Sequence, residues 1–322
     1  MQSLDVRVLT DALRWYQSGH AVTLITVVET WGSAPRPPGA LLALRDDGVV
    51  SGSVSGGCVE DDLIARTRAT QAAQSSSDML PSLIVYGVTK DEAARFGLPC
   101  GGTLRLLQEP LTDITWLQDL LQRVGNHTLV TRTVTLATGL VTLGPAKRGQ
   151  TLVFDGQTLS CPLGPQWRLL LVGAGQLSQA VAQMALMLDF EVLVCDPREE
   201  YAQTLAATLP GVRVVAGMPD DAVREMVPDA HTAIVALTHD PKLDDMALLE
   251  ALQSEAFYVG ALGSRRNQAV RKERLATHFD LKPKDLDRLH GPVGLSLGAK
   301  TPAEIAVSVV AEIVQAKCQS TH

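Results

Sequence analysis

The chain contains no C-x-x-C pair and no histidine pair at zinc-ligand spacing, which argues against a structural zinc site. It also lacks any apolar run near the ~20 residues needed to cross a bilayer, so no membrane span is expected. Positive charge is outweighed: 28 Lys and Arg face 35 Asp and Glu, a net charge of -7. That balance disfavours broad attraction to nucleic acid or anionic lipid. Asp5, Arg7, Asp11 and Arg14 interrupt the first twenty residues, leaving no apolar signal-peptide core. A cytoplasmic protein is therefore expected. Its five cysteines (Cys58, Cys100, Cys161, Cys195, Cys318) are expected to be free thiols in that compartment.

What is present is globular: 46% hydrophobic and 20% charged residues over 322 positions, enough for about two domains. Residues 1–165 predict an α+β domain. "SLDVRVLTDALRWYQ" has helical spacing, "AVTLITVVET" reads as a strand, and "LLALRDDGVVSGS" as strand, Asp-Asp-Gly turn and strand. A helix follows from Val59, and "SLIVYGV" and "TLRLLQE" predict further strands. Residues 110–165 extend this domain with a helix ("ITWLQDLLQRVG") and a hairpin turning at Thr138-Gly139. "CPLGPQ" reads as a Gly/Pro linker.

Residues 166–322 follow a different rhythm. "WRLLLVGAG", "EVLVCDP", "VRVVAG", "TAIVALTHD", "FYVGALGS" and "GPVGL" read as short buried strands, mostly separated by helical segments. That alternation predicts a Rossmann-like, doubly wound parallel sheet with right-handed crossovers. "VGAGQLS" supplies two glycines of G-x-G-x-x-G, Gly173 and Gly175, with Ser178 in the third place. Asp196 ends the next strand about 20 residues on, where a dinucleotide fingerprint carries its acid. The other strand ends offer Gln176, Arg198, His239, Asp240, Ser264, Arg265 and Arg266. Arginines and backbone donors beside an aspartate and a histidine suit an anionic or heterocyclic ligand. Arg265 and Arg266 also fit the plain start of a surface helix, and His239 a polar loop residue.

Two further motifs are decoys. "GLSLG" around Ser296 has the form of a hydrolase elbow but lacks a downstream acid-histidine pair, His322 being terminal. "GLSLGAKT" puts Ala299 where a P-loop needs glycine. Thr301, Pro302 and Glu304 instead spell a helix start with a capping box.

Two thiols sit beside glycine pairs, Cys58 in "SGSVSGGCVEDD" and Cys100 in "GLPCGGT". Cys58 falls in the first turn of a helix, where the dipole favours a thiolate, although Glu60, Asp61 and Asp62 oppose it. A soft-ligand or sulfur-handling site and two unreactive loop thiols are both open readings. Cys195, inside "EVLVCDP", reads as packing.

In order along the chain, "GSAPRPPGA", "GSVSGGCVE", "CGG", "LVGAG", "CDPREEYA", "THDPKLDD", "YVGALGSRRN" and "GPVGLSLGAKTPAEIAVSVVAEI" resemble the XdhC/CoxI family. These are accessory proteins of xanthine dehydrogenase and related molybdenum hydroxylases. The resemblance spans both domains outside about 108–166. It implies a chaperone that binds the molybdenum cofactor, a molybdopterin in some cases extended by a nucleotide. Such a chaperone supports sulfuration with a cysteine desulfurase, inserts the cofactor into an apo-hydroxylase, and is commonly a homodimer. By the same resemblance Cys58 and Cys100 would meet the molybdenum or its sulfido ligand. Many relatives carry histidine after the glycine turn, where this chain has Gln176. The alternative from residues alone is an NAD(P)-dependent oxidoreductase, although no proton-relay pair of the dehydrogenase kind is evident.

Overall fold

A computed structural model describes residues 4–31, 36–72, 80–87, 103–147, 150–279 and 281–320. The chain divides into two compact units, 3–165 and 166–322. Among the described residues no helix is long and apolar enough to cross a membrane.

In the first unit a five-stranded sheet has the order β3-β2-β1-β5-β4, formed by β1 (Val22–Trp31), β2 (Leu41–Arg45), β3 (Val50–Gly52), β4 (Ser82–Tyr86) and β5 (Thr103–Pro110). All its pairings are antiparallel. β1 reads as an almost continuous apolar run because both sheet faces are covered. Val22, Leu24, Leu41 and Ala43 join one core, with Val8, Leu9, Ala12 and Trp15 of α1 (Leu4–Gln17) and Leu117 and Leu120 of α3 (Thr115–Gly125). Ile25, Val27, Leu42 and Leu44 join the other, with Val59 and Leu63 of α2 (Cys58–Ala72).

A second, four-stranded antiparallel sheet follows, ordered β7-β6-β9-β8: β6 (Val130–Thr135), β7 (Val141–Pro145), β8 (Val153–Phe154) and β9 (Thr158–Leu163). The hairpin turns at Thr138-Gly139 with Gly139 at φ +69. The expected linker "CPLGPQ" is different: Cys161, Pro162 and Leu163 belong to β9, paired along β6. β8 pairs only with Leu159 and Ser160, so Pro162 lies where β9 has one neighbour and its missing N–H costs little.

The second unit is a six-stranded parallel sheet ordered β12-β11-β10-β13-β14-β15. Its strands are β10 (Arg168–Val172), β11 (Glu191–Cys195), β12 (Arg213–Val215), β13 (Thr232–Ala236), β14 (Tyr258–Ala261) and β15 (Leu289–His290). Leu169 and Leu171 pack beneath α4 (Gln176–Met187) and α10 (Pro302–Ser320). Leu170 and Val172 pack against α6 (Pro219–Met226) and α7 (Pro241–Gln253). The remaining helices are α5 (Glu199–Thr208), α8 (Arg265–Phe279) and α9 (Pro283–Leu286). Helices on both faces of a parallel sheet bear out the Rossmann-like expectation. One strand moves: the last is Leu289–His290, and "GPVGL" is the loop after it, where Pro292 lacks a donor and Gly294 takes φ +101. The capping box is present at α10, with Thr301 N–H donating to Glu304 and Glu304 N–H to Thr301 Oγ1.

Candidate functional site

The strand order reverses between β10 and β13, and in an open parallel sheet that switch point is where ligands lie. β10 leaves the sheet through Gly173, at φ +102, where an added Cβ would stand 3.0 Å from Thr238 Cγ2. Gly173 is therefore glycine for two reasons internal to the protein, its backbone conformation and its contact with the next strand end. Gly175 is different. It is the extended N-cap of α4 (φ -81), and a Cβ built there meets nothing within 4 Å. Neither strain nor packing requires glycine at that position, so its bare backbone faces open space. In the first turn of the same helix, Ser178 is 1% exposed and its Oγ has no hydrogen-bond partner among the described residues.

These residues line a crevice of about 820 Å³ with Gln176, Arg198, Tyr201, Thr238 and His239. Asp196 sits behind them, fully buried, accepting from Ala174 N–H at 2.7 Å and from Arg198 Nε and Nη2 at 2.9 and 2.7 Å. Burial pushes its pKa up, but the Arg198 guanidinium and the Ala174 N–H outweigh that and hold the carboxyl below its ordinary value. The oxygens a ribose diol would need are thus taken by the glycine turn and by Arg198. Arg198 in turn lies over the Tyr201 ring, 3.9 Å from its centroid, and both border the crevice.

The other strand-end residues separate by role. His239 is exposed and borders both this crevice and a neighbouring compartment of about 350 Å³. Asp240 lines the crevice while capping α7, accepting from Lys242 N–H at 2.9 Å. Ser264 caps α8 through its Oγ, which accepts from Asn267 N–H. Arg266 borders the smaller compartment, whereas Arg265 is exposed and lines neither.

Sequence reading missed the wall between strand and helix. Asp244 is 1% exposed and accepts from Thr238 Oγ1 at 2.7 Å and Arg271 Nη2 at 2.8 Å. Its pKa is raised, because desolvation outweighs those bonds. Asp245 accepts from Arg274 Nε at 2.6 Å. The available signal was the 3-4 spacing of Gln268, Arg271 and Leu275, the buried face of an otherwise charged α8.

In the other unit Cys58 opens α2 and is exposed. Gly56 before it takes φ +103. Glu60 folds back to fill the loop. Its carboxylate accepts the backbone N–H groups of Val54, Ser55, Gly56 and Gly57 at 2.9, 2.8, 3.1 and 2.8 Å, and the hydroxyls of Ser53 and Ser55. Burial raises its pKa, but the Ser55 hydroxyl and the backbone donors prevail and bring it to about 2. The acid that looked opposed to a thiolate is therefore the internal anchor of the glycine loop. Asp62, the third of these acids, is engaged as well, since Tyr86 Oη donates to it at 2.8 Å and Arg66 Nε at 2.6 Å. Cys100 and its glycines lie outside the described residues. Cys195 is buried with its pKa pushed up to about 11 by desolvation, an inert packing thiol. Among the described residues no three His, Cys, Asp or Glu side chains are grouped to hold a metal ion.

Residues 169–313 match the XdhC Rossmann domain, and residues 15–86 match the XdhC and CoxI family. The chain belongs to the XdhC/CoxI family. Among XdhC/CoxI relatives it is 28% identical to a probable xanthine dehydrogenase subunit of Bacillus subtilis, covering 96% of each chain. It is also 28% identical to the molybdenum cofactor insertion chaperone PaoD of Escherichia coli, over 96% of this chain and 88% of that one. A crystal structure described as a xanthine dehydrogenase from Bacillus halodurans shares the fold at TM-score 0.76 and 24% identity, over 99% of this chain and 96% of the other.

Proposed function

We propose that this protein is a molybdenum cofactor chaperone that carries molybdopterin as cargo and inserts it into an apo xanthine dehydrogenase-type hydroxylase. The observation that carries the reading is the buried Ser178 hydroxyl, without a hydrogen-bond partner among the described residues, beside the open backbone of Gly175 at the N-terminus of α4. A donor left unsatisfied in this way is costly unless a ligand completes it, and helix N-termini favour phosphate. The terminal phosphate of a pterin dithiolene fits that cradle. The flat Arg198–Tyr201 pair and Gln176 would hold the ring system, with His239 and Asp240 at the far wall. Of the remaining strand-end residues, Asp196 acts by orienting Arg198 and the glycine turn, Ser264 by capping α8, and Arg265 from outside the crevice.

The exposed Cys58 thiol, on a loop pre-shaped by Glu60, supports contact with the molybdenum or its sulfido ligand, with Cys100 as its companion. On this reading the protein works in the cytoplasm as a homodimer, receives sulfur through a cysteine desulfurase and uses neither nucleic acid nor membrane. The cofactor supplies the redox chemistry; the chain's own residues bind it, orient it and shield it from water and oxidation. Kinship with a protein named as a molybdenum cofactor insertion chaperone supports the same assignment. The NAD(P)-dependent alternative loses support because each Asp196 oxygen already accepts two donors, Ala174 N–H and Arg198 Nη2 on one and the Arg198 backbone N–H and Nε on the other, leaving none to offer a ribose.

The test is anaerobic loading with molybdopterin followed by transfer to apo-hydroxylase. Wild type should bind and activate, and Cys58→Ala should bind but deliver poorly. Delivery by Cys58→Ala at the wild-type level removes the thiol from the mechanism. Hydride transfer from NAD(P)H without molybdopterin affinity decides for the oxidoreductase.

A further inference from the structure

The smaller compartment, about 350 Å³, lies against the ends of β13 and β14 and shares Thr238, His239, Pro241 and Leu262 with the main crevice. Its walls carry three guanidinium groups, Arg266, Arg271 and Arg274, together with Asn267 and His239. The acids beside them are already engaged. Asp244 takes the Thr238 N–H and hydroxyl on one oxygen and Arg271 on the other. Asp245 takes Arg274 Nε on one oxygen and lies 3.4 Å from Arg271 Nε on the other.

What remains toward the space is donor chemistry. Among the described residues Arg274 is engaged only through Nε, and its side chain is 33% exposed. Arg266 is exposed and makes no hydrogen bond or ion pair among the described residues. Arg271 is locked by Asp244, Gln268 and Leu262 O and stiffens the wall rather than reaching outward. A cavity with cations to spare and carboxylates already paired suits an oxyanion. The Ser178 cradle lines the main crevice, which shares Thr238, His239 and Pro241 with this compartment, while Ser178 does not line the compartment.

We propose that this compartment is a second oxyanion site, so that the crevice holds a ligand anionic at both ends. The inference rests on the chaperone reading for the ligand's identity: the phosphate end meets the glycine turn, and the oxo ligands at the molybdenum end, distinct from the sulfido ligand assigned to the thiols, meet Arg266 and Arg274. A ligand gripped at both ends is oriented as well as bound, which a carrier that must present one end to a partner requires.

Calorimetric titration of the purified full chain tests this, with molybdate and inorganic pyrophosphate as separate probes at constant ionic strength. Molybdate and pyrophosphate should bind together without competing. Arg266→Ala should weaken molybdate at least ~10-fold and spare pyrophosphate, as expected for losing one charge-assisted contact. Ser178→Ala should show the reverse pattern. Undetectable molybdate binding to wild type, competition between the two anions, or an unaffected Arg266→Ala each overturns the second site. Cofactor transfer separates the two readings. Molybdopterin delivery with an inert Arg266 refutes only the second site, whereas the two-anion pattern without delivery refutes only the chaperone reading.

Discussion

Glu60 provides the sharpest perturbation, because one carboxylate gathers four consecutive N–H groups and two hydroxyls in front of Cys58. Its pKa falls from 4.5 to about 2 on folding. At 1.36 kcal/mol per pKa unit, that difference is worth at most about 3 kcal/mol to the folded state, and solvent screening at the loop's edge trims it. A carboxylate whose folded pKa is depressed contributes fully above its unfolded value. The contribution is lost as pH falls from about 4.5 through about 2. Glu60→Gln keeps the shape but removes the charge and puts an amide donor among donors. It should destabilise the N-terminal unit by about 2–3 kcal/mol at pH 7. The gap to wild type should narrow on acidification below pH ~4. Urea melts at pH 7 and pH 3, with mass-resolved alkylation of Cys58 at each pH, read both the unit and its loop. Alkylation should accelerate in the variant at pH 7, since the glycine loop loses its anchor. Equal stability at pH 7, or a gap of the same size at pH 3, refutes the account of the loop as a nest built on its own carboxylate.

The remaining predictions concern the second unit. Ser178→Ala should leave the unloaded protein unchanged or raise its stability by up to ~1 kcal/mol, since an unsatisfied buried hydroxyl is removed, yet weaken molybdopterin binding. In thermal melts the unloaded midpoint should therefore equal or exceed that of wild type, while the rise on adding ligand should be smaller. Gly175→Ala should fold within ~0.5 kcal/mol of wild type but lose phosphate affinity, because its Cβ meets only open space. Gly173→Ala should cost at least ~1–3 kcal/mol in chemical denaturation, from its φ of +102 and its contact with Thr238. Arg271→Ala leaves the buried Asp244 carboxyl without its cationic partner and should cost ~3–5 kcal/mol. Arg271→Ala together with Asp244→Asn should recover part of that loss.

What the sequence determined by itself follows from local rules. Strands buried on both faces must be apolar runs, so β10, β11, β13 and β14 are visible as such, and the helices between them force the parallel order. Gly173 and the capping box at Thr301 are equally legible, because backbone conformation and helix ends have residue preferences of their own. Short pieces were misread where local cues compete: Pro162 suggested a linker inside β9, and "GPVGL" displaced the two-residue β15.

Only the tertiary structure decided how the polar groups pair. Asp196 looked like a ribose acceptor until Ala174, 22 residues away, claimed its oxygen. Asp244 meets Arg271 across 27 residues, and nothing in "PKLDDMALLE" announces the partner. Glu60 reads as one acid among three, yet the loop folds around it, while Ser178 is exceptional only because its hydroxyl meets no partner among the described residues. Hydrophobic burial is additive and leaves a periodic trace in sequence. A hydrogen bond depends on two groups arriving within about 3 Å, which the packing of distant elements alone sets.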